Sequence, residues 1–469
     1  MAALALLTSA QFMIILDVTV VNLALPSIQS DLGFASKDLQ WVVTAYTLAF
    51  GGLLLLGGRV ADLLGRRRMF LAGLGVFTAA SLGSALAWSP EALLATRALQ
   101  GVGAAMLSPA ALSVISTIFP EGAERNRALA IWAAVAASGG AVGVLVGGAL
   151  TEAFGWESIF IINVPVGIAV AIAAWRVLPA APGVRRRLDA AGALVATASL
   201  VALIYGLVDA DSAGWGSPQT LGLFALAAAG LATFVAIETR IREPLVDLSI
   251  FRQRPTVTAL VLLIAGIGTL FSGFFFSSLY LQQVLGHSAL RTGLEFLPVA
   301  LAIGLAAHAG GHLIARVGAK PVIAAGMSLG ATGALLLSGL SADGGYATDV
   351  LPGLLVLGLG AGLSVSGVMI TAMSGAGEEN AGLVSGLTTT AHELGIALVL
   401  AVLSTIATSQ IGGGALQTAA AADPALLTAG FADAFRAAAV IALAAALVAV
   451  VALRRDDVAP GAVPAFAGH

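Results

Sequence analysis

Polar residues break this chain at short intervals, and between the breaks lie fourteen apolar runs long enough, at roughly 20 residues, to cross a bilayer core as helices. They cover 4–28, 39–58, 69–88, 91–118, 127–151, 157–178, 189–209, 219–238, 255–281, 292–315, 320–340, 349–374, 381–409 and 431–453. Open sheets cannot satisfy their edges in lipid, and runs this long are not barrel strands. The pattern predicts an all-α integral membrane protein with fourteen transmembrane helices. The first run starts within a few residues of Met1, without a charged n-region or a small-residue cleavage site, and is read as a retained helix rather than a signal peptide.

Alternating the loops between the two sides tests the count, because Lys and Arg collect on the cytoplasmic side. With the N-terminus inside, eighteen of the 22 basic residues fall in cytoplasmic segments, among them Arg59, Arg66, Arg67, Arg68, Arg125, Arg127, Arg185, Arg186, Arg187, Arg254, Arg316 and Lys320. Only Lys37, Arg291 and Arg436 fall on the other side, and Arg97 lies inside a span. Both termini are therefore expected in the cytoplasm, with the chain in the cell membrane.

The chain also repeats itself at an offset of 253 residues. GGRVADLLGRRRMFLAG (57–73) matches GGHLIARVGAKPVIAAG (310–326): paired glycines open both, Gly65 aligns with Gly318, Arg67 with Lys320 and Gly73 with Gly326. QGVGAA (100–105) and LGLGAG (357–362) echo each other two helices later. Two six-helix halves in parallel orientation follow, over 1–188 and 241–469, with 189–240 an inserted helical hairpin. Transporters built this way hold substrate between the halves near mid-membrane.

Composition narrows the chemistry. The chain is 59% hydrophobic and 10% charged, and it contains no cysteine, which excludes disulfides, thiol catalysis and thiolate metal sites. A net charge of −3 without a basic block gives no reason to expect a nucleic-acid partner. There is no Walker loop, so ATP-driven export by this chain alone is not expected. AHELG (391–395) is not a zinc-protease helix, since the second His is missing, and GMSLG (326–330) matches a nucleophile elbow only in pattern, lying in an apolar helix with no strand before it. No enzymatic activity, cofactor or metal is expected.

Six motifs in order resemble the major facilitator superfamily, specifically its fourteen-helix drug:proton antiporter branch: LDVTVVNLALP (16–26), GGRVADLLGRRR (57–68), RALQGVGAAM (97–106), SGGAVGVLVGG (138–148), GWESIFIINVPVG (155–167) and EPLVDLSIFRQR (243–254). The likeness covers nearly the whole chain. It implies that Arg97 takes part in proton coupling and that the loop carrying Gly58, Asp62, Gly65, Arg66 and Arg67 latches the halves in one access state. Val144 stands where the helix 5 motif usually has proline, which keeps uptake by proton symport open; Ala315 stands in the second repeat where the first has Asp62.

An ionisable group in the bilayer core costs about 2.5 to 3.5 kcal/mol on insertion scales and is a functional hypothesis by default. At 1.5 Å per residue, Asp17, Arg97, His392 and Glu393 share a layer roughly 16 to 21 Å above the cytoplasmic face and are expected to line one cavity. Asp17, Arg97 and Glu393 are read as proton-coupling groups, and Asp17, Asn22, Gln100, His392 and Glu393 as substrate contacts. The blander alternatives are a permanently satisfied Asp17 and an Arg97 that is only a strut. Gly139, Gly143, Gly147 and Gly148 let another helix approach. His308 and His312 are read as packing or cavity-lining groups rather than metal ligands, and Glu295 as an interfacial group. The expected activity is proton-coupled efflux of amphipathic or cationic small molecules by a monomer, with protons, substrate and membrane lipid as its partners. A dedicated exporter of one metabolite or antibiotic is an alternative within transport, and a non-transporting membrane receptor one outside it.

Overall fold

The structure, a computed structural model, describes residues 2–34, 39, 41–119, 123–179, 190–241, 246–374, 377–409, 424–454 and 457. Among them there is no strand, and each of the fourteen expected spans falls on helix. The first half runs α1 (Ala2–Leu32), α2 (Trp41–Leu64), α3 (Arg66–Ala85), α4 (Pro90–Ile118), α5 (Ala123–Phe154), a short α6 (Ser158–Ile161) and α7 (Asn163–Val177). The hairpin is α8 (Ala190–Ala213) and α9 (Pro218–Glu238). The second half runs α10 (Arg254–Leu279), α11 (Ala289–Val317), α12 (Ala319–Leu337), α13 (Leu351–Ser374), α14 (Gly377–Ser409) and α15 (Pro424–Ala452). Eleven helical stretches among the described residues are long and apolar enough to cross a membrane, and shorter apolar stretches, Trp41–Leu54, Leu145–Phe154 and Ala191–Leu207, occupy the other three expected spans.

Close contacts group the residues into two compact units. One comprises Met1–Tyr205, Leu223–Leu245 and Ser288–Leu294; the other comprises Gly206–Gly222, Val246–His287 and Glu295–His469. The α8–α9 hairpin is divided between them.

The internal repeat is a repeat of packing. In the first unit a methyl group at Gly73 would lie 2.8 Å from the Leu107 nitrogen and 2.9 Å from the Gly103 oxygen; in the second, Gly326 stands 2.8 Å from the Ser364 nitrogen and 2.7 Å from the Gly360 oxygen. Gly101 closes on Tyr46 and Phe50, and Gly358 closes on Val299 and Ile303, the positions 253 residues on. Glycine is required at these crossings because the helix backbones approach within the space a Cβ would fill.

The segment expected to be a loop at 57–68 is almost entirely helix. α2 runs to Leu64 and α3 starts at Arg66, so Gly65 alone, at φ 97°, turns the chain. Gly318 does the same between α11 and α12 at φ 83°. Only glycine adopts this backbone without strain. The side chains of Arg59 and Asp62 lie outside the described residues, as do those of Arg125, Arg127 and Val144 and the segments holding Lys37, Arg185, Arg186, Arg187 and residues 243–245.

Candidate functional site

Six helices of the first unit converge on Asp17. Its side chain is wholly buried at mid-α1, and Arg97 and Gln100 on α4, one helical turn apart, are equally buried. The Arg97 Nη1 donates to Asp17 Oδ2 at 2.6 Å. Gln100 Nε2 donates to Asp17 Oδ1 at 2.7 Å, and Asn163 Nδ2, at the start of α7, donates to the same oxygen at 2.9 Å. Every recorded contact on the carboxylate is a donor, which suits its ionised, acceptor-only form.

Arg97 is held on its remaining sides. Its Nε donates to the Val42 carbonyl on α2 at 2.9 Å, and Nη1 also donates to Gln100 Oε1 at 2.7 Å. Tyr46 on α2 covers the guanidinium at 4.5 Å from its ring centroid and Phe160 on α6 at 5.6 Å, the range of cation–π attraction. Gln100 Nε2 spends its second proton on Ser81 Oγ at 2.8 Å, and Ser81 in turn donates to the Phe77 carbonyl. Removing two charges from water costs several kcal/mol per ion, and only such a full set of partners offsets it.

Sequence reasoning identified Asp17, Arg97 and Gln100 but missed Asn163, Ser81, Tyr46 and Phe160. Asn163 carried a usable signal, an amide inside the apolar run IFIINVPVG. Ser81, Tyr46 and Phe160 carried none, because such residues are common in membrane helices.

The α5 glycines meet α1 on the stretch around Asp17. A methyl at Gly139 would lie 3.1 Å from Ile15, one at Gly143 3.0 Å from Thr19, and one at Gly147 2.9 Å from the Val20 Cα; Gly148 is buried beside them. The backbone of α1 is thus seated on α5.

Asn22, one and a half turns beyond Asp17, donates Nδ2 to the Val18 carbonyl at 2.9 Å, while its Oδ1 is buried without a hydrogen-bond partner among the described residues. In the second unit, His392 Nδ1 and Glu393 Oε1 on α14 are 3.2 Å apart, with Glu393 nearly buried and His392 about a third exposed. Arg66 reaches the Ser113 carbonyl at 3.2 Å and the Thr117 hydroxyl at the end of α4, and Arg67 donates to the Trp175 carbonyl and stacks on its ring at 5.1 Å. These recorded partners lie in the arginines' own unit. Gly58 sits 3.5 Å, as a methyl would measure it, from Pro109. His308 and His312, expected in packing or a cavity, are exposed along α11, with His312 Nδ1 donating to the His308 carbonyl at 3.1 Å.

Residues 7–400 match the Major Facilitator Superfamily. The chain belongs to that superfamily. It is 42% identical over 442 residues to the cephamycin export protein CmcT of Amycolatopsis lactamdurans, covering 92% of this chain and 88% of that one. It is 41% identical to the puromycin resistance protein pur8 of Streptomyces alboniger, covering 86% and 81%. Among solved structures, a bacterial homolog to the human lysosomal transporter Spinster superposes with a TM-score of 0.68 at 18% identity over 96% of each chain, a likeness of fold. The chain is thus a multi-pass major facilitator transporter whose relatives are named for antibiotic export and drug resistance.

Proposed function

We propose that this transporter exports amphipathic or cationic drugs and other small molecules across the cell membrane by proton antiport with alternating access. The observation that carries the reading is the Asp17–Arg97 pair, a carboxylate and a guanidinium that are both buried within membrane helices and hydrogen-bonded to each other. An ionisable carboxylate inside a membrane span is a functional hypothesis by default, and a proton carrier requires one. Relatives named for cephamycin export and puromycin resistance support the direction and the substrate class.

The reading gives the residues the following roles. Asp17 accepts from Arg97, Gln100 and Asn163, and protonation would weaken its pairing with Arg97, so proton binding is tied to rearrangement of α1 against α4 and α7. Arg97 and Gln100 hold the deprotonated state. Substrate contacts in each unit are Asn22 on α1, and Glu393 with His392 on α14. Gly58, Asp62, Gly65, Arg66 and Arg67 form a gate at the α2–α3 junction, and Glu393 is a second proton-coupling group. No cofactor is required: each charge moved inward through 100 mV supplies about 2.3 kcal/mol.

The placement of eighteen of 22 basic residues supports cytoplasmic termini, and the repeat of 57–73 at 310–326 supports two six-helix halves around an inserted hairpin. One chain carries both repeats, which supports a monomer. The test is transport of ethidium and puromycin in reconstituted vesicles with an imposed pH gradient. Accumulation that requires the gradient and collapses with an ionophore is expected; gradient-independent equilibration of both compounds overturns the antiport reading.

A further inference from the structure

The end of the second unit opposite Gly318 contains a titratable pair that the transport reading does not use. His287 Nδ1 and Glu295 Oε2 are 2.8 Å apart, each about one-tenth exposed. The chain builds this contact deliberately. α10 ends in a π-helical turn, Tyr280–Val284, after which Gly286 adopts φ 67° and the His287 N–H returns to the Leu281 carbonyl at 2.9 Å. A π turn followed by a left-handed glycine re-aims the next side chain, here onto the second turn of α11.

The surroundings fix the acid from a third element. A second π turn, Tyr346–Val350, opens α13, and the Tyr346 hydroxyl donates to the Glu295 carbonyl at 2.6 Å. Pro298 lies three residues on and removes one of the N–H groups that would serve the carbonyls of this turn. Tyr280, at the start of the first π turn, donates to the Ser341 carbonyl at 2.7 Å, and Asp349 accepts from the Ser341 hydroxyl at 3.4 Å. Among the described residues, the other titratable or charged groups near the pair include Tyr280 on α10, Tyr346 and Asp349 on the α13 turn and the exposed Arg291 on α11 itself, and Glu152 on α5 accepts from the Leu290 N–H at the start of α11 at 3.3 Å.

We propose that His287 and Glu295 form a proton-binding clasp, separate from the Asp17–Arg97 pair, that pins the start of α11 to the end of α10 when His287 is protonated. Histidine is the side chain whose charge changes between pH 5 and 8. A protonated imidazole facing a carboxylate makes a charge-assisted hydrogen bond, whereas a neutral one makes a weaker, uncharged contact. In the topology proposed above this end faces outward, so the clasp reads the pH of the side from which driving protons come. External acid would close the C-terminal half at its outer end. The clasp itself does not depend on that topology.

The test is hydrogen-exchange mass spectrometry on residues 281–297 in lipid nanodiscs, where both faces see one pH and the result is independent of orientation. With intrinsic exchange rates corrected, protection in the wild type is expected to rise roughly fivefold between pH 8 and pH 6, the factor that about 1 kcal/mol produces. His287→Gln keeps a donor but cannot gain charge, and Glu295→Gln keeps an acceptor but cannot hold one; in both, protection should stay flat with pH. Wild-type protection that does not change with pH, or a pH-dependent rise that persists in both variants, overturns the clasp. Failure of the wild type to transport ethidium or puromycin would overturn the export reading and leave these exchange outcomes unchanged.

Discussion

The guanidinium of Arg97 lies 2.6 Å from the carboxylate of Asp17, with neither side chain open to solvent. Two further donors on the carboxylate and two aromatic rings on the guanidinium complete the arrangement. A proton that enters so enclosed a pair must compete with these contacts.

Breaking the pair from one side should be costly. Asp17→Asn leaves Arg97 as an uncompensated buried cation, a loss of about 3–5 kcal/mol in buried pairs. The expected result is a lowered Tm in detergent for Asp17→Asn and partial recovery in Asp17→Asn/Arg97→Gln, with energised export absent from both. A double variant less stable than the single one would show that the two side chains do not compensate each other.

The ring of Tyr46 should matter more than its hydroxyl for holding Arg97. Tyr46→Phe preserves the aromatic face, whereas Tyr46→Leu removes an attraction of roughly 0.5–2 kcal/mol. Thermal unfolding should place Phe close to wild type and Leu clearly below it. Equal losses would assign the effect to packing or to the hydroxyl.

Much of this was readable from the amino acids, for identifiable reasons. Asp17 and Arg97 stand out because charge in an apolar run has few explanations, and Gln100 follows one helical turn after Arg97. The repeat was legible because helix crossings at Gly73 and Gly326 and left-handed turns at Gly65 and Gly318 both require glycine, so these residues stand in register. Asn163 was missed because an uncharged amide signals weakly, and Tyr46 because a ring's partner is set by tertiary contact. The segment 57–64 read as loop from its paired glycines and charges, yet it is helical. There Gly57 packs against the Ala105 backbone, and that tertiary contact overrides glycine's weak helix propensity.

Gly57 and Gly311 allow a comparison between a closely packed glycine and an open one. A methyl at Gly57 would collide with the Ala105 carbonyl and approach its carbon at 2.9 Å, whereas one at Gly311 meets nothing within 4 Å. Gly57→Ala should cost about 1–3 kcal/mol of stability through overpacking. Gly311→Ala should be neutral or stabilise by up to about 1 kcal/mol, as expected for alanine replacing a helical glycine. Tm values of the two variants measured side by side decide it; equal Tm values would mean that the α2–α4 crossing relaxes freely.

The seating of α1 on α5 makes a parallel claim. Gly147→Val would press on the Val20 backbone and displace the helix that carries Asp17, so export should fall together with stability. Trypsin sensitivity and ethidium efflux measured on the same preparation should change in step. Full efflux from a normally folded Gly147→Val protein would remove this contact from the mechanism.

The central claim is that Asp17 carries the coupled proton, and it is tested most directly by recording lumenal pH in reconstituted vesicles during ethidium exchange. Wild type should move protons opposite to ethidium, while Asp17→Asn, normalised to folded protein, should still exchange ethidium down its gradient without moving protons. Ethidium-dependent proton movement that persists in Asp17→Asn would contradict the account.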